Sequence, residues 1–188
     1  MDIKKLIYKN AALSGDYPEF KIEEAPDNPL ETFYEWFGQA VDAEVLEPSA
    51  FVFSTADSGG APSARIVNLR DMDADGFIIG SNSESRKGGD LADNKNAAMT
   101  FYWREVGRQI RITGSVEIAE EEENREDFMR RNDTSKALSI IARQSEMLGS
   151  MDELEREMQR AGELVETDKE AYETWTLYKV IPEKMEVF

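Results

Sequence analysis

Residues 51–81 read Phe51-Val52-Phe53-Ser54-Thr55-Ala56-Asp57-Ser58-Gly59-Gly60-Ala61-Pro62-Ser63-Ala64-Arg65-Ile66-Val67-Asn68-Leu69-Arg70-Asp71-Met72-Asp73-Ala74-Asp75-Gly76-Phe77-Ile78-Ile79-Gly80-Ser81. Phe51–Thr55 is a short apolar strand, and Asp57-Ser58-Gly59-Gly60 supplies turn chemistry. Arg65–Arg70 is a second strand, Asp71–Gly76 an Asp-rich second turn, and Phe77–Ser81 a third strand. Such close spacing argues for an antiparallel sheet or small barrel, not for βαβ units.

Working outward, Ala97–Trp103 and Gln109–Ile118 read as a fourth and fifth strand joined through Glu105 and Gly107. Trp175–Ile181 is a late strand that Pro182 ends, and Met185–Phe188 begins another. The expectation is therefore mainly β with α (α+β), with six to seven antiparallel strands and peripheral helices. Upstream, residues 1–28 form a loosely patterned leader. Asp27 or Asn28 caps a helix with Pro29 in its first turn, and Pro48 ends that region. Leu30, Phe33, Trp36, Phe37, Ala40 and Val41 fall on one face of it and predict core packing. Further helices are expected over Glu120–Arg131, Ser135–Arg143 and Met151–Glu166, the first with acids at its start and bases at its end. Residues 29–188 read as one domain, without repeats or a linker.

Composition removes whole classes of chemistry. The 188 residues contain no cysteine and no histidine. That excludes a disulfide framework, a thiolate metal site, an iron–sulfur cluster, a Ser-His-Asp triad and a His-ligated haem. Carboxylates, Arg, Lys and Tyr remain, or an organic cofactor. With 39 acids against 22 bases the net charge is −17, which argues against nucleic acid as a partner. No stretch approaches the roughly 18 apolar residues of a membrane helix, and Met1–Asp16 has no signal-peptide pattern. The expected location is the cytoplasm. The Asp71, Asp73, Asp75 alternation lacks the distal Glu of a calcium loop and reads as a turn.

The positive charge is unevenly placed. From Arg65 to Arg111 the chain carries eight bases and seven acids, whereas the remainder carries −18. Ion pairing with the abundant carboxylates is one use for this pool; a small anionic ligand is the other. Ser83-Glu84-Ser85-Arg86-Lys87-Gly88-Gly89, coming after a strand, places hydroxyls, an Arg, a Lys and helix-start amides where one phosphate can meet them. The glycine spacing is neither that of a P-loop nor that of a dinucleotide turn.

Six motifs in order, Arg65-Ile66-Val67-Asn68-Leu69-Arg70, Ser81-Asn82, Ser85-Arg86-Lys87, Arg108-Gln109, Arg143-Gln144-Ser145 and Trp175, give the chain its resemblance. From about Pro29 onward it resembles the pyridoxamine/pyridoxine 5′-phosphate oxidase family. Within it, Phe101–Glu105 and Arg143–Glu146 look most similar to the phenazine-biosynthesis flavin oxidases. The resemblance implies a split β-barrel that forms a homodimer around two FMN sites. It assigns Arg65, Ile66 and Val67 to the flavin, and Arg86 and Lys87, with Ser81 and Ser85, to its phosphate. It assigns Gln109 to the polar edge of the ring, and Gln144, Ser145 and Trp175 to FMN from the partner subunit. Arg70, Arg131 and Ser135 would orient a small anionic substrate, with no side chain in a catalytic acid–base role.

The pattern departs from the vitamin-pathway enzymes on the substrate side. Arg70 replaces the family's lysine. Asp127 stands where the family has the tyrosine that reaches the substrate phosphate, and a carboxylate facing a phosphate is repulsive. The family's Arg-x-His substrate motif falls in a segment that would follow Phe188. The implied activity is hydride transfer from substrate to flavin and then electron transfer to oxygen. The substrate would be a B6 vitamer or a phenazine precursor; a non-catalytic FMN-binding protein is the alternative.

Overall fold

A computed structural model describes residues 3–8, 15–141, 149–167 and 173–188. Its six strands are β1 (Ala50–Ala56), β2 (Pro62–Met72), β3 (Phe77–Asn82), β4 (Asn96–Trp103), β5 (Arg108–Ile118) and β6 (Trp175–Val187). They close into an antiparallel barrel in the order β1-β2-β3-β6-β5-β4. The helices are α1 (Ile3–Ile7), α2 (Pro29–Asp42), α3 (Arg86–Asp93), α4 (Glu121–Arg130), α5 (Asp133–Ile140) and α6 (Met151–Thr167). The expected α+β antiparallel barrel is the observed architecture.

Alternation along the strands produces the barrel core. Phe51, Phe53, Met99, Phe101, Trp103, Ile110 and Ile112 point inward and are almost fully buried. Helix α2 plugs this interior with the apolar face read from its sequence. Asn28 is its N-cap, its Oδ1 accepting the Leu30 amide at 3.0 Å. Phe33 meets Phe77 and Phe101 edge-on at centroid distances of 4.8 and 5.0 Å. The Trp103 indole donates to the Pro48 carbonyl at 2.9 Å, which satisfies the polar end of a buried ring. The described part of the leader lies against this plug: Phe20 packs edge-on against Trp36 at 5.0 Å.

One strand prediction is corrected. Trp175–Ile181 and Met185–Phe188 are not separate strands, because β6 runs through Pro182 without a break. Gly114 pairs with Pro182 while Thr113 pairs with Lys184, so Glu183 is an extra residue at a bulge. A bulge tolerates the absence of the N–H that proline lacks. The partner must be glycine, because a Cβ on Gly114 would lie 1.9 Å from the Ile181 carbonyl oxygen. Boundaries also move: β2 extends to Met72, and α5 ends at Ile140, three residues before the expected Arg143.

A second bulge sits within β2. Leu69 pairs with Ile79 and Asp71 with Ile78, leaving Arg70 as the extra residue. Up to that point the strand alternates regularly, so Arg65 faces its inner side and Arg70 its outer side, toward Asp127 of α4.

Candidate functional site

Arg65 belongs to a network at the end of β1 and β2. Its Nη1 donates to Thr55 Oγ1 at 2.8 Å and to the Phe53 carbonyl at 3.3 Å, and its Nη2 donates to Ser63 Oγ. Asp90, on α3, holds the centre. Its Oδ2 accepts from Thr55 Oγ1 at 2.6 Å and Ser63 Oγ at 3.0 Å, and lies 3.8 Å from Arg65 Nη2. Burial pushes the Asp90 carboxyl up, but the two hydroxyls and the charges of Arg86 and Arg65 outweigh it and hold the group below the usual carboxylate range.

Helix α3 brings its own cations to this network. Ser85 is the N-cap, accepting from the Gly88 amide at 3.4 Å and from Lys87 Nζ at 3.0 Å while donating to the Asn82 carbonyl at 2.7 Å. Gly88 is required here, since a Cβ would fall 2.1 Å from the Ser83 carbonyl oxygen. Burial, together with the charge of Arg65, pushes the Lys87 ammonium down to about 8. Burial and the charge of Arg86 likewise lower Arg65, against the opposing pull of Asp90. Three cations and one carboxylate leave this corner at +2, the charge that a phosphate dianion balances.

The structure thus brings Arg65, Arg86 and Lys87 together, around a capping Ser85. Ser81 is buried beside them in sequence, its hydroxyl turned to the Asn82 carbonyl at 3.4 Å. Ser85 and the Gly88 and Gly89 amides are engaged in the cap itself. Val67 packs inward against the core, whereas Ile66 is 65% exposed on the outer face. Ile66 pairs with Val52, which pairs in turn with Thr100 of β4. Gln109 lies one residue pair along this same outer face, opposite Tyr102. Its side chain has no partner among the described residues. Gln144 and Ser145 lie outside the described residues.

A second group of the predicted residues gathers on α4, β2 and β6. Arg70 donates from Nε and Nη2 to Asp127 Oδ1 at 2.9 and 2.7 Å. The Trp175 indole donates to Asp127 Oδ2 at 2.8 Å. Arg131 stacks on the Trp175 ring, its guanidinium carbon 3.8 Å from the centroid. Its Nη2 donates to the Ser135 carbonyl at 2.9 Å, while its buried Nε has no partner among the described residues. Burial, with the charge of Arg70, lowers Arg131 against the pull of Asp127. Trp175, expected beside the flavin, therefore joins the residues expected at the substrate.

The pool of bases divides further. Arg108 is structural: 6% exposed, it lies 4.2 Å over Trp36 and donates to the Glu19 carbonyl at 3.3 Å. Sequence reading missed Asp90, Thr55 and Ser63. The Arg86–Asp90 spacing, i to i+4 on one helix, was the available signal. A cavity of about 570 Å³ lies beside Arg70 and Asp127, between α4 and the barrel. Asp71, Asp73, Glu117, Glu120, Glu123 and Glu126 line it with Arg70, Arg130 and Lys179, an acidic balance that does not suit an anion. Among the described residues no cluster suits a metal ion, and no helix is long and apolar enough to cross a membrane.

Comparison with known proteins decides the relationship. A family model described as pyridoxamine 5′-phosphate oxidase matches residues 37–164.

The chain belongs to the pyridoxamine 5′-phosphate oxidase family.

A pyridoxine/pyridoxamine 5′-phosphate oxidase from Trichormus variabilis is 38% identical over 164 residues, covering 87% of this chain and 77% of that protein. One from Salinibacter ruber is 41% identical over 151 residues, covering 80% and 67%. Among solved structures of the oxidase fold, PhzG from Burkholderia lata, in complex with tetrahydrophenazine-1-carboxylic acid, superposes with a TM-score of 0.82. It is 28% identical and covers 92% of this chain and 86% of its own. A related FMN-binding protein from Nostoc punctiforme, at TM-score 0.66 and 12% identity, shares the fold; 87% of this chain and 86% of that one are covered.

Proposed function

We propose that this member of the pyridoxamine 5′-phosphate oxidase family is an FMN-dependent oxidoreductase. The observation that carries the reading is the +2 corner of Arg65, Arg86, Lys87 and Asp90. Arg65 and Lys87 are partly desolvated and crowded, with Lys87 held down to about 8, and a dianionic FMN phosphate relieves that crowding. Arg86 and Lys87 would grip the phosphate, and Arg65 would stiffen the corner through Thr55 and Ser63. Gln109 offers an unengaged amide to the polar edge of the ring. When bound, FMN supplies a two-electron acceptor that takes hydride from the substrate and passes electrons to oxygen.

The chain's own residues bind and orient. Arg131, stacked on Trp175 and braced by Ser135, presents a fixed guanidinium to a small anionic substrate. No side chain need move a proton, which suits a protein without histidine or cysteine. The exposed outer residues Val52, Ile66 and Tyr102 form the face on which a second copy would close a homodimer around the flavin, with Gln144 and Ser145 contributed across it. Two readings of the substrate follow from the relatives: a phosphorylated B6 vitamer, or a phenazine-type acid. The tie between Arg70 and Asp127 favours the second.

Anaerobic mixing of the yellow protein with candidate donors tests the proposal. Loss of the flavin absorbance near the visible band, restored by air, is the expected result. A flavin that no donor in a broad panel bleaches points instead to a non-catalytic FMN-binding protein. Arg86→Ala with Lys87→Ala should release the flavin; full retention would overturn the phosphate assignment.

A further inference from the structure

Arg70 presents a planar two-pronged donor of the kind that recognises a substrate anion. Here both prongs, Nε and Nη2, close on Asp127 Oδ1 at 2.9 and 2.7 Å. The pair is partly sheltered, with side-chain exposures of 31% and 18%. Asp127 does not float free, because the Trp175 indole anchors its other oxygen at 2.8 Å. The anion that meets Arg70 is therefore already built into the chain.

Only one cation of the group is left for an outside anion. Arg131 shares the Trp175 ring with Arg70, and its buried Nε has no partner among the described residues. The charges of Arg70, Arg131 and Asp127 sum to +1. Beyond Arg70, the adjoining cavity carries more carboxylates, among them Asp71, Glu117 and Glu123, than its bases Arg130 and Lys179 offset. A doubly charged group approaching Arg131 meets that one cation, an Arg70–Asp127 pair whose charges cancel, and this acidic wall. A singly charged group halves both that repulsion and the attraction to the cation, but the cost of leaving water rises with the square of the charge, so it loses far less on entering.

We propose that Asp127 sets the charge of the substrate: by holding Arg70, it makes the site select a ring bearing one negative charge over a phosphate monoester dianion. This rests on the reading of Arg131 and Ser135 as the substrate's anion site. Negative selection of this kind works by placing a repulsive group against the wrong ligand.

The test uses the flavin-loaded protein and two non-oxidisable probes on the same ring, 1-naphthoate and 1-naphthyl phosphate, titrated calorimetrically at pH 8. Wild type should bind the carboxylate at least as tightly as the phosphate, despite the latter's greater charge. Asp127→Asn should tighten the phosphate by about tenfold, the effect of one removed charge at partly screened contact, and move the carboxylate by less than about threefold on the same argument. A wild type that prefers the phosphate overturns the proposal, and that ranking needs no variant to fold. So does an equal shift of both probes in Asp127→Asn. Arg131→Gln separates the levels: loss of both probes with flavin retained upholds the site, whereas unchanged binding of both overturns the site and this proposal with it.

Discussion

Replacing Lys87 with Met removes a charge that the folded chain holds unfavourably. The Lys87 ammonium sits against Ser85 at 3.0 Å and near Arg65, and burial with that neighbouring charge brings it from 10.5 to about 8. Fully converted, that displacement corresponds to about 3.4 kcal/mol against the charged form. Solvent still reaches the partly buried side chain, so about 1–2 kcal/mol is the expected gain in the variant. Below pH 8 the amine is protonated in both folded and unfolded chains, and the whole penalty is present at pH 7. As pH rises from 8 toward 10.5 the folded chain sheds its proton first, so wild type gains on the variant.

The flavin-free Lys87→Met protein should therefore melt about 2–8 °C above wild type at pH 7, with the gap narrowing above pH 8. Adding FMN should reverse the order, because only wild type keeps the ammonium that the phosphate pairs. Differential scanning calorimetry of both proteins, with and without FMN, reads all of this. A variant that melts at or below wild type without FMN at pH 7 refutes the claim that the corner is a strained, anion-seeking cluster.

Three further outcomes are expected. Gly114→Ala drives a methyl to 1.9 Å from the Ile181 carbonyl; it should cost at least about 2–4 kcal/mol in urea melts by breaking the β5–β6 bulge. Phe33→Ala, which empties the space between Phe77, Phe101 and Trp103, should cost about 3–5 kcal/mol in the same assay. Asp90→Asn should lose about 1–3 kcal/mol at pH 7 by loosening Thr55, Ser63 and Arg65. Because the folded Asp90 carboxyl is held low, its contribution is present above the ordinary carboxylate range and lost below it. Acid titration followed by circular dichroism should thus show the two proteins converging only at the acid end.

Local pattern carried the barrel far. The alternation at Phe51–Thr55 and Gln109–Ile118, and the stripe from Leu30 to Ala40, are burial patterns that a chain must print in its sequence to fold. Pro182 misled because a proline normally ends a strand, and the bulge opposite Gly114 that accommodates it depends on a residue 68 positions away. The cationic pool was visible as charge, but its division was not. Arg108 looked equivalent to Arg86 until Trp36 and Phe20 stacked on it. Asp127 stood out as a departure from the family pattern, yet its bond to Arg70, across 57 residues, is made only by docking α4 on the barrel. Long-range pairings of this kind leave no periodic trace.

The central claim is that Arg86 and Lys87, in a corner stiffened by Arg65, hold the phosphate of a flavin mononucleotide. Parallel fluorescence titrations of the flavin-free protein with FMN and riboflavin, which differ only in that phosphate, test it most directly. FMN should bind at least about a hundredfold tighter, two or more charge-assisted contacts at the modest end of their range, and Arg86→Ala with Lys87→Ala should erase the difference. Equal affinity for the two flavins in the wild-type protein would contradict it.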